Sequence, residues 1–195
     1  VSDDLGSGER LFADANQAWD VPRAVAFMQQ ADACGLGWIE EPIPADSPRS
    51  NWVALADNIK TPIAVGENIA GDVAFTQAIE AGHFAYLQPD VAKWGGVTGC
   101  LRVARTALQA GRIYCPHFLG GGIGLRASAH VLAAAGGPGV LEVDVNPNPM
   151  RDAFEGEAMS GGDWTLGTAA GLGIETLPQA LGPYQTLSLE KTRVS

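Results

Sequence analysis

The stretch that decides the fold is LFADANQAW, Leu11–Trp19. An apolar run of strand character ends on a carboxylate, Asp14, with Asn16 two positions on. Packing gives no reason for a buried strand to finish on an acid, because an unpaired charge in a core is costly. The same oddity recurs. Short β-type runs at Arg10–Ala13, Gly37–Ile39, Ile63–Val65, Phe84–Leu87, Ile113–Cys115 and Val140–Leu141 lead into Asp14, Glu40, Glu67, Asp90, His117 and Glu142. The intervals between those six polar residues are 26, 27, 23, 27 and 25 positions. Between the runs lie stretches with helical apolar spacing, Val21–Cys34, Gly71–Ile79, Val97–Ala110 and Ile123–Ala135. Pro22 sits in the opening turn of the first, where a missing N–H costs nothing.

One strand and one helix per interval predict an α/β fold of parallel strands joined by crossover helices. In a TIM-type (β/α) barrel the C-terminal ends of all strands face one mouth, where the active site lies. A doubly wound sheet would spread the six groups along an edge, so the barrel is the better expectation. Asp14 then belongs to the floor of a site. A barrel has eight βα units in about 250 residues; this chain has 195 residues and six candidate strands. An open arc would leave apolar edges, and VSDDLGSGE reads as the tail of a preceding helix and its loop. The expectation is the C-terminal part of a longer polypeptide, residues 1–150 supplying barrel strands 3 to 8 and residues 151–195 a closing segment.

The composition is globular, 46% hydrophobic and 17% charged. A net charge of −10 with twelve scattered Lys and Arg excludes a nucleic-acid stripe. No apolar run approaches the roughly 18 residues of a membrane span, and no signal-peptide pattern opens the sequence. Cys34, Cys100 and Cys115 are an odd number without CxxC spacing. They read as buried free thiols in a reducing cytoplasm.

Asp14, Glu40 and Glu67 fall on three consecutive strands. Three carboxylates at one mouth repel unless a cation sits among them. Oxygen-only ligation selects a hard ion, with Mg²⁺ the default, and three ligands leave positions for substrate and water. Glu40 is preferred to its neighbour Glu41, which alternation would turn to the opposite face of the strand. His117 is the candidate base, with Asp90 on the next strand fixing its tautomer. Lys93 would stay in the mouth and balance charge. Glu142 would donate to a substrate oxygen or brace His117, and Arg151 would reach a distal carboxylate of the substrate. His83 and His130 lie off the strand ends and read as structural. The glycines at 120, 121, 122 and 124 suit close backbone approach better than a phosphate cradle.

As a set, DAN (Asp14–Asn16), WIEEP (Trp38–Pro42), VGEN (Val65–Asn68), QPDVAKWGGVTG (Gln88–Gly99), His117 and LEVD (Leu141–Asp144) resemble the enolase superfamily, in its mandelate racemase branch. The resemblance implies Mg²⁺ on Asp14, Glu40 and Glu67, a His117–Asp90 dyad, and removal of the proton alpha to a carboxylate to give an enediolate. It also implies a small carboxylate substrate, contacts to it from Asn16, Lys93 and Arg151, and a homo-oligomer, dimer or octamer. Residues 151–195 would return toward an N-terminal capping domain. The branch carries that cap and a Lys-x-Lys pair opposite the His, neither of which this sequence contains. The leading expectation is dehydration of a sugar acid. The alternatives are epimerisation or racemisation of a hydroxy acid, and, in another class, a fragment that binds metal without turnover.

Overall fold

The computed structural model describes residues 4–154 and 159–187 of the chain. Residues 1–3, part of the stretch expected to be a helix tail, and residues 155–158 and 188–195 of the closing segment lie outside the described residues.

Five strands form one parallel sheet in sequential order: β1 (Ala13–Asp14), β2 (Ile39–Glu40), β3 (Ile63–Val65), β4 (Phe84–Leu87) and β5 (Ile113–Tyr114). Each is followed by a helix: α1 (Val21–Ala31), α2 (Arg49–Ala56), α3 (Asp72–Ala81), α4 (Gly96–Gln109) and α5 (Gly122–Ala135). A doubly wound sheet reverses its strand order at a switch point, and this one does not. The sequential parallel order is that of an arc of a (β/α) barrel. Beyond it lie a short helix α6 (Pro149–Asp152) and a two-stranded antiparallel ribbon, β6 (Met159–Ser160) with β7 (Asp163–Trp164).

Period-2 alternation sorts the strand side chains. Ile39, Ile63, Val65 and Leu87 face the helices and pack against Met28, Leu55, Phe75 and Ile79 in the main apolar cluster. The other face carries Trp38, Ala64 and Cys115, with Phe12 and Tyr86 against them. The Phe12 and Trp38 rings stack with centroids 3.7 Å apart. Asp14, Glu40, Gln88 and His117 follow Phe12, Trp38, Tyr86 and Cys115 by two residues, so the sequence places them on that inner face at the strand ends.

Three expectations need correction, and one helix was not expected at all. Val140–Leu141 forms no strand: the segment runs beside β5 without ladder bonds, Val140 N–H meeting Cys115 Sγ at 3.4 Å. The approach is too close for a regular register, since a Cβ on Gly139 would lie 1.8 Å from the Tyr114 carbonyl oxygen. Helix α2 was not legible because it buries only Trp52 and Leu55 and has no side-chain cap. Cys34 is exposed, whereas Cys100 and Cys115 are buried, and burial pushes those two thiols up to about 12 and about 11. The last turn of the expected first helix tightens into a 3-10 turn, Asp32–Cys34, ended by Gly35. Pro22 lies in the first turn of α1, behind an Asp20 cap that accepts from Arg23 N–H at 2.9 Å.

Candidate active site

The strand ends bring His117, Asp90 and Glu67 into one hydrogen-bonded chain. His117 Nδ1 lies 2.8 Å from Asp90 Oδ2, and Nε2 lies 2.8 Å from Glu67 Oε2. All three are buried. Lys93 Nζ approaches the same Glu67 oxygen to 2.5 Å. Asp90 is fixed from below by the N–H groups of Ala92 and Lys93, 2.7 and 3.2 Å from its Oδ1. Burial pushes the His117 imidazole toward neutrality, but its bonds to Asp90 and Glu67 and the nearby Glu142 charge outweigh burial and raise its pKa to about 10. Both ring nitrogens therefore donate in this arrangement. Glu67 is the counterpart: the His117 bond above all, with Lys93, overcomes burial and holds it down at about 2. Burial would raise Asp90, yet His117 and the two backbone N–H groups keep it below the ordinary value.

Glu67 reaches this position through a break in alternation. Along a regular β3, Ala64 and residue 66 would share the inner face. The register of β3 on β4 shifts between Ile63 and Ala64, and Gly66 adopts φ 155°. A Cβ there would lie 2.5 Å from the Gln88 backbone. Glycine at 66 thus lets the end of β3 press onto β4 and swings Glu67 inward.

On the β1–β2 side Asp14, Glu40 and Glu41 form no ion pair with a Lys or Arg among the described residues. Gln88 Nε2 donates to Glu40 Oε2 at 2.8 Å. Burial, with the charges of Asp14 and Glu142, raises Glu40 to about 7 despite that bond. Asp14 is exposed and its Oδ1 accepts from the Asn16 backbone N–H at 2.7 Å. A cavity of about 280 Å³ opens between Asp14, Glu40, Gln88 and Glu142. Among the described residues no three His, Cys, Asp or Glu side chains stand close enough to hold an ion as they are. Glu67 is turned to Lys93 and His117, and Glu40 to Gln88. The donors nevertheless suit a hard cation: they are oxygens, they carry surplus negative charge, and Gln88 Oε1 and Glu41 Oε1 are buried without a hydrogen-bond partner.

Glu142 accepts from Phe118 N–H at 2.8 Å and lies 3.9 Å from His117 Nε2, so it steadies the segment that carries the imidazole. Arg151 is drawn away from the strand ends to Asp144, 3.4 Å, and Asp152, 3.1 Å. Asn16 is exposed, with φ 43°. The glycine run serves packing: a Cβ on Gly122 would meet Phe154 at 2.3 Å, and one on Gly124 would meet Phe118 at 2.2 Å. His83 lies in the loop before β4 and His130 in α5. Sequence reasoning missed Glu41, Asn68 and Gln88. The doubled acid of WIEEP and the Asn of VGEN were the available signals, but alternation, by turning Glu41 to the other face from Glu40, gave no hint that it meets Asn68.

The family described as "Enolase C-terminal domain-like" matches residues 1–180. The chain belongs to the enolase superfamily. Within the superfamily it resembles a mandelate racemase/muconate lactonizing enzyme from Bordetella bronchiseptica RB50, with TM-score 0.87 and 49% identity over 90% of this chain and 50% of that one. D-galactarolactone cycloisomerase of Agrobacterium fabrum is 29% identical over 95% of this chain and 51% of its own length. L-talarate/galactarate dehydratase of Salmonella typhimurium is 34% identical over 60% of this chain and 29% of its own. The chain thus spans at most about half the length of these superfamily relatives. No helix among the described residues is long and apolar enough to cross a membrane.

Proposed function

We propose that this chain supplies the acid–base and cation-binding strand ends of a Mg²⁺-dependent enzyme that removes the proton alpha to a carboxylate and dehydrates a sugar acid. The observation that carries the reading is His117, buried between Asp90 and Glu67 beside a surplus of carboxylates. Relatives named for galactarate, talarate and galactarolactone support the substrate class. Asp14, Glu40 and Glu67 would hold Mg²⁺, which when bound supplies Lewis-acid stabilisation of negative charge on the substrate carboxylate.

Nδ1 of His117 is committed to Asp90, so Nε2 is the atom that exchanges protons with the substrate. Exchange first requires Nε2 to give up the proton it donates to Glu67 Oε2, which passes to solvent as Glu67 turns away, leaving His117 neutral. Neutral His117 then takes the alpha proton at Nε2, and the imidazolium returns it to the departing beta-hydroxyl, which leaves as water. The elimination product tautomerises to a keto acid, so atoms and charge balance. Asp90 keeps the ring oriented through both transfers and stabilises the imidazolium. The assembly is read as a homo-oligomer.

The second reading, epimerisation or racemisation, is favoured by the resemblance to a mandelate racemase/muconate lactonizing enzyme at 49% identity. Incubating the full-length protein with Mg²⁺ and a panel of sugar acids in D₂O separates the two. A keto acid supports dehydration. Deuterium at the alpha carbon without a keto acid supports epimerisation. Neither product across the panel leaves the non-catalytic metal-binding protein.

A further inference from the structure

Among the described residues, only three non-glycines adopt left-handed backbone: Asn16 at φ 43°, Gln17 at φ 61° and Glu41 at φ 35°. That conformation is costly for a residue with a Cβ and persists where surrounding contacts enforce it. The three are connected at adjacent strand ends. Gln17 N–H donates to the Glu41 carbonyl at 2.6 Å, and Gln17 Oε1 accepts from Ala45 N–H at 2.8 Å. Asn16, next to Gln17, donates its N–H to Asp14.

Glu41 carries a second cost, being a carboxylate with no exposed surface. Among the described residues neither Lys nor Arg answers it; its Oε2 accepts from Asn68 Nδ2 at 2.6 Å, and its Oε1 has no hydrogen-bond partner. The same Asn68 amide lies 3.2 Å from Glu67 Oε1. An ionised carboxylate only accepts, so the group between two of them must be the NH₂. Asn68 itself is exposed and has no packing reason to be held there. The two Glu67 oxygens are thereby told apart. Oε1 faces Asn68 and Glu41, and Oε2 faces His117 and Lys93.

We propose that Glu41 is a positioning residue: through Asn68 its side chain sets the rotation of the Glu67 carboxylate, while its backbone carbonyl anchors the turn that follows Asp14, so that one buried residue touches groups from β1 and β3. This rests on the reading of Asp14 and Glu67 as cation ligands. It explains why a desolvated acid stands on strained backbone at 41. It also assigns the doubled acid separate tasks, Glu40 at the ion and Glu41 behind it.

The test is Mg²⁺ binding by calorimetry on the full-length protein, with the melting temperature of each variant recorded. Glu41→Ala and Asn68→Ala each weaken Mg²⁺ about 10- to 100-fold, the usual effect of removing a group that orients a ligand. The double variant is no weaker than the weaker-binding single, since both cut one relay. Glu41→Gln, whose amide oxygen still accepts from Asn68, stays much closer to wild type than Glu41→Ala does. Asn68→Ala still folds because the residue is exposed, with a melting temperature lowered only by the hydrogen bond that Glu41 loses. Wild-type Mg²⁺ affinity in Asn68→Ala, with a wild-type protein that binds Mg²⁺, overturns the relay and leaves the cation site standing. A wild-type protein that binds no Mg²⁺ overturns both. Should Glu41→Ala fail to fold, Asn68→Ala and Glu41→Gln decide alone.

Discussion

The two sides of the strand-end rim are built on opposite electrostatic terms. At β3–β5, Glu67, Asp90, His117 and Lys93 neutralise one another, and both acids sit below their ordinary values. At β1–β2, Asp14, Glu40 and Glu41 form no ion pair among the described residues, and the two buried acids are raised. Geometry differs in parallel. His117 and Asp90 each stand three residues beyond the end of their strand, on backbone with φ negative. The other side holds every left-handed non-glycine described. The lesson is that the rim keeps a finished acid–base pair beside an unpaired anionic pocket, whose oxygen donors suit the cation proposed for it.

The largest expected effect separates the two sides. Full-length His117→Ala loses at least about 10³-fold in alpha-proton exchange with the substrate, within the range of a lost general acid–base. Its Mg²⁺ affinity changes by far less, measured by calorimetry on the same samples. Equal losses of both would show that the sides act as one unit.

Gly66→Ala breaks the joint between them. The added Cβ would press on the Gln88 backbone from a left-handed position. A loss of about 3 kcal/mol or more is expected in chemical denaturation. Unchanged stability would mean that the inward swing of Glu67 does not depend on that close approach.

The pH dependence of the metal-free protein sharpens the contrast, because the sides have opposite signs. Glu40 has its folded value raised from 4.5 to about 7. Its contribution is full below pH 4.5 and is lost as pH rises through 7. Glu67, lowered to about 2, contributes fully above pH 4.5 and loses that as pH falls through 2. His117, raised from 6.5 to about 10, contributes fully below pH 6.5 and loses it as pH rises through 10. Glu40→Gln keeps an acceptor for Gln88 and removes the first loss. It should raise stability at pH 8 by about 1–3 kcal/mol, at about 1.4 kcal/mol per unit of pKa. Denaturant melts at pH 4.5 and 8 check this, and no gain at pH 8 would contradict an unmatched charge at 40.

The smallest effect belongs to Lys93. Its side chain is 46% exposed, so Lys93→Ala should cost under about 1 kcal/mol of stability. A larger loss in the same melts would mean that the β3–β5 side is less self-sufficient than described.

The strand-end interval made much of this legible. β3 and β4 fall where their apolar runs stand, and the six polar residues after the runs were identifiable because each βα unit has similar length. Val140–Leu141 was misjudged because two β-branched or apolar residues satisfy a strand pattern, while Gly139 imposes a close approach that composition does not reveal. Glu41 was passed over for a deeper reason. Alternation presumes a regular strand, and both Glu41 and Gly66 depart from regular backbone where the site is built. Arg151 was unreadable because its choice among acids depends on how the chain folds back after residue 142.

The most direct test of the central claim is a crystal structure of the full-length protein grown with Mg²⁺. One ion should lie about 2.1 Å from carboxylate oxygens of Asp14, Glu40 and Glu67, with Glu67 withdrawn from Lys93. An ion held by other residues, or these three acids keeping their present partners in saturating Mg²⁺, would contradict the account.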